Sequence, residues 1–557
     1  MLKRSAVVIF LVTLAGGCGP SAGEKELAHF ITKHVEKIEP LSKEANLSYW
    51  RAATTGASEE YKRYSELDLE LRQVYSDSSA YAFLKKIRSS NQVSDPLLAR
   101  QMDLLYFDFL ENQIEPGLLK RIVDLSAAVE EKFSTYRATL RGAKVTSNEI
   151  DRILKTETDS RIRRQAWEAS KQVGALVAGD IVELVKRRNQ AARALGFDDY
   201  HELSTATREQ KVEQLDAIFD QLYDLTGEPF AVLKAELDSI LAGAYGIGVP
   251  ELMPWHYHDP FFQETPLVYE LDLDAYYKDA DIAEIASRFY AGIGMPVEDI
   301  LSASDLYERE GKNPHAFCTD IDREGDVRVL CNLQNTERWM ETMLHELGHA
   351  VYDKYQDRDF PFLLRRYAHV FTTEAVAMFF GRLSRDAAWM QSMLDLSDEE
   401  RGQIAEMSGK YARLKQLIFA RWAMVMYYFE KALYKDPDAD LNRLWWDLVE
   451  KYQGVTRPPE RDEPDWAAKI HFTIAPCYYH NYLLGELLAS QLHHHIVQEL
   501  LKAPSPEGVS LAGESAVGGF FIKRIFEAGA RWPWNEMIER ATGEPLTAKY
   551  FVEQFVR

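Results

Sequence analysis

One short pattern constrains this chain more than any other. It is H-E-x-x-H at His345, Glu346 and His349, set in an apolar, helix-periodic segment over residues 339–355. Residues four apart lie on the same face of an α-helix, so the two histidines can direct their imidazoles at one ion. This spacing is typical of a zinc site in which the glutamate stands beside the metal as a general base. The pattern therefore predicts a helix that carries two metal ligands.

A third ligand is needed to complete such a site, and Glu374 is the candidate. It lies in a second helix-forming, apolar-rich stretch, and a helix packed antiparallel against the first would bring its carboxylate to the metal. Two histidines, one glutamate and an open position for water are the ligand set of a catalytic zinc. We therefore predict one Zn²⁺ per chain, with Glu346 as the base that takes a proton from the water.

The alternative interpretation is an ordinary surface helix with two solvated histidines, because so short a pattern also arises by chance. Three observations weigh against it. The residues around the motif are mainly apolar, Gly348 thins the helix as if another segment approaches closely, and an acidic residue stands where a third ligand is needed. Together they favour the zinc site.

The length and the net charge limit the classes of protein to which this chain can belong. A chain of 557 residues fits one large helical enzyme with two lobes around a cleft, and no clear linker divides it. We expect one catalytic domain over residues 24–557. The formal net charge of −22 argues against a nucleic-acid binder or an anionic-membrane binder, since those partners require a basic surface.

The first 17 residues have the pattern of a secretory signal, with a basic start and an apolar core too short to span a bilayer. Small residues directly before Cys18 resemble the bacterial lipoprotein signal, in which that cysteine becomes the lipidated first residue. An ordinary signal peptide is the alternative. Both interpretations predict export, and the first predicts a periplasmic or cell-surface protein that touches the membrane only through its lipid.

Amphipathic helix patterns run through most of the chain, so we expect a mainly α fold. Residues 24–141 are predicted to form long helices, which we interpret as a lid over the zinc helix. The convincing β element is a hairpin just before that helix, with strands at residues 315–318 and 327–331 around a polar turn. In an oxidising compartment its cysteines, Cys318 and Cys331, could form a disulfide.

A second group of polar residues lies downstream, between Lys469 and Tyr482. A zinc peptidase needs donors for the oxyanion that grows on the scissile carbonyl, and a histidine and a tyrosine hydroxyl across the cleft can supply them. His471 and the tyrosines that follow it are candidates for these donors. The alternative is that these tyrosines are half-buried aromatic residues with hydrated hydroxyl groups.

With these residues in view, the chain resembles the angiotensin-converting-enzyme family of zinc peptidases and, more loosely, the thimet and oligoendopeptidase F family. The resemblance implies a two-lobed helical peptidase with a deep cleft and a small β element beside the zinc helix. It implies that His345, His349 and Glu374 bind zinc and that Glu346 is the base. Cys318 and Cys331 lie near the position where those enzymes carry a disulfide.

The same resemblance implies roles for residues that bind substrate. His315 and Ala316 look like the edge strand that holds the substrate backbone. Lys469 matches the lysine that pairs with the C-terminal carboxylate of the substrate, and His471 matches the histidine that stabilises the transition state. The two functional tyrosines of the family correspond to Tyr479, as a carboxylate ligand, and Tyr482, as an oxyanion donor; Tyr478 is a rival for the first role.

Two departures from the family pattern are visible. Asn481 stands where the converting enzymes place a chloride-binding arginine, which puts chloride activation in doubt. Met378 stands four residues after Glu374, where the family has an aspartate that orients a ligand. Another carboxylate or carbonyl must therefore orient His345.

These observations predict a zinc peptidase that acts on short peptides, most simply a peptidyl-dipeptidase that releases C-terminal dipeptides. If Lys469 and Tyr479 do not capture a free carboxylate, the enzyme is instead an oligoendopeptidase that cuts internally. A peptide-binding lipoprotein with a dead site is the alternative from a different class, against which the intact zinc motif argues.

Overall fold

The computed structural model describes residues 21–268, 272–504 and 508–556. The predicted signal at residues 1–17 and its cysteine, Cys18, lie outside the described residues. The fold is mainly α-helical, as the sequence predicts, with two small two-stranded sheets among the described residues.

The helices and strands follow the chain in a simple order. The α-helices are α1 (Ala22–Thr55), α2 (Ser58–Tyr75), α3 (Ser78–Ser90), α4 (Pro96–Glu111), α5 (Pro116–Thr135), α6 (Ser147–Thr156), α7 (Ser160–Ala194), α8 (Tyr200–Thr207), α9 (Val212–Tyr245), α10 (Asp274–Tyr277), α11 (Ile282–Gly292), α12 (Glu298–Ala303), α13 (Glu337–Lys354), α14 (Val370–Gly381), α15 (Ala387–Leu394), α16 (Asp398–Lys435), α17 (Leu441–Gln453), α18 (His471–Ile474), α19 (His480–His494), α20 (Ser515–Phe520), α21 (Trp534–Thr542) and α22 (Lys549–Phe555). The strands are β1 (Ala138–Leu140), β2 (Ala143–Val145), β3 (Phe317–Asp320) and β4 (Val327–Leu330).

The helix ends have local causes in the sequence. Helix α1 ends at Gly56, whose φ of 72° is a left-handed conformation that glycine adopts without strain. Helix α5 begins with Pro116 in its first turn, where a missing N–H is harmless, and the Glu115 carboxylate caps its N-terminus.

The N-terminal helices have an apolar core of their own. Side chains of α1, α3 and α4 pack together with Phe362 and Leu363, which belong to the connection between α13 and α14. Helix α1 also lies against the second hairpin, because the Asn46 amide donates hydrogen bonds to the carbonyls of Asp320 and Ile321. The N-terminal helices therefore contact elements that surround the candidate site, while their role as a lid stays a prediction.

The zinc-motif helix α13 lies in the main apolar core. Its residues Met343, Leu344, Leu347, Ala350 and Val351 are fully buried. Burial of this apolar face is the main force that holds α13 in place, since each such side chain contributes on the order of 1.5–3 kcal/mol. The surface-helix interpretation of the motif is therefore wrong.

The β structure differs from the prediction in two ways. The pair β1 and β2 was not predicted, because strands of three residues give no clear alternation; its turn is made by Arg141 and Gly142, both with positive φ. The second hairpin starts at Phe317 rather than His315. The reason is that the backbone N–H of His315 donates to the Asn313 side chain, which makes a turn in place of a ladder bond.

The predicted disulfide is not formed in this structure. Cys318 and Cys331 are both free thiols. In the antiparallel register of β3 and β4, Cys318 pairs with Val329, so that Cys331 is not its direct partner across the hairpin. Burial raises the pKa of both thiols, which keeps them protonated at neutral pH.

Among the described residues, no helix combines the length and the apolar character that crossing a bilayer requires.

The start of α1 gives a prediction about acid stability. The Glu24 carboxylate accepts hydrogen bonds from Ser21 N, Ser94 N, Ser94 Oγ and Asp95 N, which joins α1 to the connection before α4. These bonds, led by that of the Ser94 hydroxyl, lower the pKa of Glu24 from 4.5 to about 2. A group whose pKa is lower in the folded state stabilises the fold above its unfolded pKa, and this contribution is lost as the pH falls toward 2.

We therefore expect Glu24→Gln to lower the melting temperature by a few degrees at pH 7. The difference from the parent protein should shrink as the pH falls below 4.5, and fluorescence-monitored unfolding between pH 7 and pH 3 measures it. Glu26→Gln, at an exposed position of the same helix, is the control and should change little. A Glu24→Gln difference that is independent of pH would contradict the assignment.

Candidate active site

Helices α13 and α14 run antiparallel, as predicted, and approach each other closely at Gly348. A methyl group added at Gly348 would lie 2.8 Å from Cα of Ala377, and one added at Gly381 would lie 3.4 Å from Cβ of His345. At Gly348 only glycine lets the two backbones come so near, whereas the contact at Gly381 is close to ordinary van der Waals distance. The close approach brings Glu374 of α14 beside the histidines of α13.

The three predicted zinc ligands form one group. The ligand atoms of His345, His349 and Glu374 all lie within 4.8 Å of one another, and no other such group is found among the described residues. Nε2 of His345 is 3.9 Å from Oε2 of Glu374. Nδ1 of His349 is 2.7 Å from the Thr373 hydroxyl, which fixes the imidazole and leaves Nε2 free for a metal.

The charge states around this group fit a zinc ion. Burial lowers the pKa of His345 to about 4 and of His349 to about 3, so both imidazoles are neutral and able to ligate at pH 7. Burial raises the pKa of Glu374 to about 7. It also raises the pKa of Glu346 to about 8, with a further contribution from the Glu374 charge. Two buried carboxyls without a cation favour the binding of a divalent ion.

Met378 brings no carboxylate to His345, and the charges near this imidazole come from other positions. Met378 lies against Gly485 of α19. Helix α19 packs on α14 at this point, behind Glu374. The charges that act on His345 are those of Glu341, one turn earlier on α13, and Glu486 of α19. Glu341 forms ion pairs with Arg385 and Lys415. The half-buried Glu341 was not predicted, although its spacing of four residues before His345 places it on the same helix face.

Lys469 lies in a buried pocket that lacks a carboxylate partner. Its Nζ donates to Oε1 of Gln263 at 2.5 Å and lies 5.2–5.5 Å from the centroids of three aromatic rings, those of Phe261, Trp422 and Tyr479. Burial lowers the pKa of the ammonium group to about 8. No described carboxylate forms an ion pair with it, so a bound anion would stabilise this cation.

The structure distinguishes the two rival tyrosines. Tyr479 belongs to the Lys469 pocket, where its hydroxyl accepts a hydrogen bond of 2.7 Å from Nε1 of Trp422 and keeps its own proton for a ligand. Tyr478 is not among the rings around Lys469, and the charge of Glu374 acts on its hydroxyl. The same charge acts on Tyr482, which is half-buried. Tyr482 and Tyr478 are therefore both near the predicted zinc ligands.

His471 lies beside the Lys469 pocket. Its ring centroid is 5.1 Å from that of Tyr479. Burial and the charge of Lys469 lower its pKa to about 4, so at pH 7 it is a neutral imidazole with one N–H to donate. This state suits a hydrogen bond to a developing oxyanion.

His315 and Ala316 lie just before β3, with His315 exposed and Ala316 half-buried. They are beside the edge of the hairpin but outside its ladder, and their contact with a substrate backbone stays a prediction. Asn481 is fully buried, and its Oδ1 accepts a hydrogen bond from Gln210.

Gln263 was not assigned from the sequence. It follows the aromatic loop at residues 254–262, whose composition is typical of a cleft lining but does not identify a ligand. Its neighbour Asp259 orders the loop, because the Asp259 carboxylate accepts the backbone N–H groups of Phe261, Gln263 and Glu264. This loop conformation places the Gln263 amide beside Lys469.

The contact at Gly348 gives a prediction about metal binding. Gly348→Ala should force α13 and α14 apart, since the new methyl group would meet backbone atoms that cannot rotate away. We expect zinc affinity to fall on the order of tenfold, as for other changes that displace a ligand. Competition with a fluorescent chelator measures this affinity.

Gly409→Ala is the matched control, because Gly409 also lies inside a helix and a methyl group there meets nothing within 4 Å. It should leave zinc affinity unchanged and raise stability by up to about 1 kcal/mol. Equal zinc affinities in Gly348→Ala and the parent protein would show that the close approach does not position Glu374.

Comparison with known proteins gives matches along most of the chain. The family model Peptidase_M2, described as angiotensin-converting enzyme, matches residues 21–249 and 260–556. The angiotensin-converting enzyme of Mesocricetus auratus is 23% identical over 560 residues, which covers 94% of this chain and 40% of that protein. The enzyme of the same name from Haematobia irritans exigua is 22% identical over 480 residues, 78% of this chain and 77% of that protein.

The mammalian relatives are longer than this chain. The match to the angiotensin-converting enzyme of Mus musculus is 25% identical over 284 residues, which covers 49% of this chain and 21% of that protein. The chain thus spans less than half the length of these mammalian relatives. The looser likeness to the thimet and oligoendopeptidase F family is not tested by these matches and stays a prediction.

Proposed function

Because the chain belongs to the angiotensin-converting enzyme family of peptidases, we propose that it is a zinc-dependent peptidyl-dipeptidase that removes dipeptides from the C-terminus of short peptides. The observation that carries the proposal is the buried Lys469 pocket, an anion site whose Tyr479 ring lies 5.4 Å from that of Tyr482, on which the Glu374 charge acts. A free C-terminal carboxylate is the anion that every peptide supplies. An enzyme that anchors this group cuts at a fixed distance from the end of its substrate.

The residues of the zinc motif supply the hydrolytic chemistry. His345, His349 and Glu374 would hold zinc, which when bound acts as a Lewis acid toward water and the substrate carbonyl. Glu346, the residue after His345 on α13, accepts a proton from the attacking water on its carboxylate. After the carbon–nitrogen bond breaks, Glu346 delivers that proton to the leaving amine, so that the base is restored.

The oxyanion is stabilised by donors from the other wall of the site. Attack on the carbonyl places negative charge on its oxygen, and preorganised N–H and O–H groups lower the energy of this state. His471 donates from its neutral imidazole, and Tyr482 donates from its hydroxyl. Burial raises the pKa of Tyr482, which keeps its proton in place for this role.

The C-terminal carboxylate binds in the Lys469 pocket. Lys469 supplies the charge, while the Gln263 amide and the Tyr479 hydroxyl supply neutral donors. Charge-assisted hydrogen bonds in a buried pocket are stronger than those between neutral groups. The three aromatic rings around the ammonium group exclude water, which strengthens the attraction between this group and an anionic ligand.

The first test uses one synthetic decapeptide in two forms, with a free C-terminus and with an amidated C-terminus. We expect mass spectrometry to show stepwise loss of dipeptides from the free form and little cleavage of the amide. Lys469→Met should raise KM for the free peptide on the order of tenfold or more, through loss of a charged hydrogen bond, and should leave the amide unaffected. Internal cuts that ignore amidation would identify an oligoendopeptidase instead.

A second test addresses the base. Glu346→Gln keeps the size of the side chain but cannot accept the proton, so we expect hydrolysis to fall on the order of a thousandfold. Zinc content and peptide binding should stay near those of the parent protein, which separates a catalytic loss from a folding defect. Unchanged hydrolysis in this variant would contradict the mechanism, and a zinc-loaded parent protein without turnover on any peptide would support the dead-site alternative.

A further inference from the structure

The segment that carries His471 and the tyrosines has little regular structure to hold it in place. Helix α18 is a single turn of four residues, and α19 begins only at His480. One turn of helix is not stable by itself, because its few hydrogen bonds do not offset the entropy of fixing its backbone. Contacts from other elements therefore determine where this segment lies.

The His471 ring depends on that backbone for its position. Nδ1 of the imidazole is buried and has no hydrogen-bond partner in the part of the chain that the structure describes. The ring contacts that of Tyr479, at a centroid distance of 5.1 Å. Because no hydrogen bond at Nδ1 orients the imidazole, a shift of α18 would also shift the N–H that the proposed function directs at the oxyanion.

Arg188 of α7 holds α18 at the residues that follow His471. Its side chain is 6% exposed. Nη1 donates to the carbonyl of Phe472 at 2.9 Å, and Nη2 donates to the carbonyl of Thr473 at 2.7 Å. Nη1 also donates to the Tyr434 hydroxyl at 3.1 Å. A guanidinium group is planar and rigid, so its bonds to two successive carbonyls fix both the position and the direction of this helical turn.

A strained residue follows α18. Cys477 is buried and has a φ of 51°, in the left-handed region that residues other than glycine rarely adopt. Its backbone N–H donates to Oε1 of Glu430 at 2.8 Å, and its carbonyl accepts from Nη1 of Arg208 at 2.9 Å. Such a conformation persists only where the surroundings determine it, and here two charged side chains hold both polar groups of the strained residue.

The strained turn sets the direction of the residues after it. Tyr479 and Tyr482 follow this turn, and their ring centroids are 5.4 Å apart. The charges of Arg188 and Arg208 both act on the Glu430 carboxyl, so the three side chains form one group. We call this group, Arg188, Arg208 and Glu430, the clamp.

We propose that the clamp positions the oxyanion donors: Arg188 fixes His471, while Glu430 and Arg208 fix the turn that leads to Tyr482. The inference rests on the proposed function. Arg188 and Glu430 are both buried, so neither is placed to touch a peptide. They are positioning residues, which act through the segment that they hold, and the catalytic groups remain His471 and Tyr482.

The test separates a positioning role from a purely structural one. The substrate is an acylated tripeptide with a free C-terminus, which can lose one dipeptide only. Arg188→Met should lower kcat on the order of tenfold, because a displaced oxyanion donor loses part of the effect of one that is removed. KM should stay within about twofold, since the two carbonyls that Arg188 holds are not part of the Lys469 pocket.

A double-mutant cycle with His471→Ala gives the decisive comparison. If Arg188 acts through His471, adding Arg188→Met to the His471→Ala protein should lower kcat by about twofold or less. An equal loss of kcat in both backgrounds would overturn the proposal, because the effect would then not pass through the histidine. The full kcat of the parent protein in Arg188→Met would overturn it as well.

Arg421→Met is the matched control for the loss of a buried arginine. Arg421 is 2% exposed and donates to the Tyr223 carbonyl and the Thr226 hydroxyl of α9. This variant should lower the melting temperature and keep the kcat of the parent protein; a loss of kcat equal to that of Arg188→Met would contradict the proposal. If Arg188→Met does not fold, Arg188→Gln, which keeps an amide donor, is measured in the same cycle, with a smaller loss of kcat and the same dependence on His471.

Glu430 gives a second, different expectation. Glu430→Leu removes the acceptor of the Cys477 N–H, so we expect kcat to fall and KM to rise, because Tyr482 and Tyr479 follow the same turn. Glu430→Gln keeps an acceptor oxygen and should retain most of the activity. Parent-like kinetics in Glu430→Leu would overturn the role of Glu430 in the clamp.

Failure of this inference and failure of the proposed function give different results. If the parent protein releases the dipeptide but the cycle shows no coupling to His471, the clamp is wrong and the proposed function stands. If the parent protein releases no dipeptide, the proposed function fails and the inference fails with it. Calorimetric binding of the product dipeptide should be the same in Arg188→Met and the parent protein; weaker binding would mark a general distortion and would overturn the positioning role.

Discussion

The close approach of α13 and α14 at Gly348 is the constraint on which the rest of the site depends. Zinc ligation needs three donor atoms within a few ångströms, and two of them come from one helix turn without further help. The third comes from another helix, so the distance between the two helix axes decides whether a metal can bind. Gly348 and Gly381 permit that distance, and Gly485 lets α19 support α14 from behind. The apolar core around α13 holds the arrangement together.

Burial disfavours the charged form of the ionisable groups throughout the cleft. It keeps the imidazoles of the zinc motif neutral, weakens the ionisation of Glu346 and Glu374, and lowers the pKa of Lys469. Among the described residues, neither Glu346 nor Lys469 forms an ion pair, which is consistent with the metal and the substrate carboxylate that the proposed function assigns to this cleft.

The sequence predicts the zinc group well and the surrounding walls poorly, for physical reasons. His345, His349 and Glu346 share one helix turn, so their spacing alone places them together, and the apolar pattern of α13 predicts its burial. Gln263 sits on an irregular loop whose shape depends on Asp259. This arrangement does not follow from local periodicity. The short β1–β2 pair and the start of β3 were missed because a turn residue, rather than a strand pattern, determines them.

The two hydrogen bonds from the Asn46 amide to the hairpin carbonyls couple regions that are far apart in the chain. Helix α1 cannot swing away from the body of the protein without pulling on the strand that ends in Asp320. Any displacement of α1 would therefore also displace that strand, which carries the Cys318 backbone N–H that faces the Glu346 carboxyl.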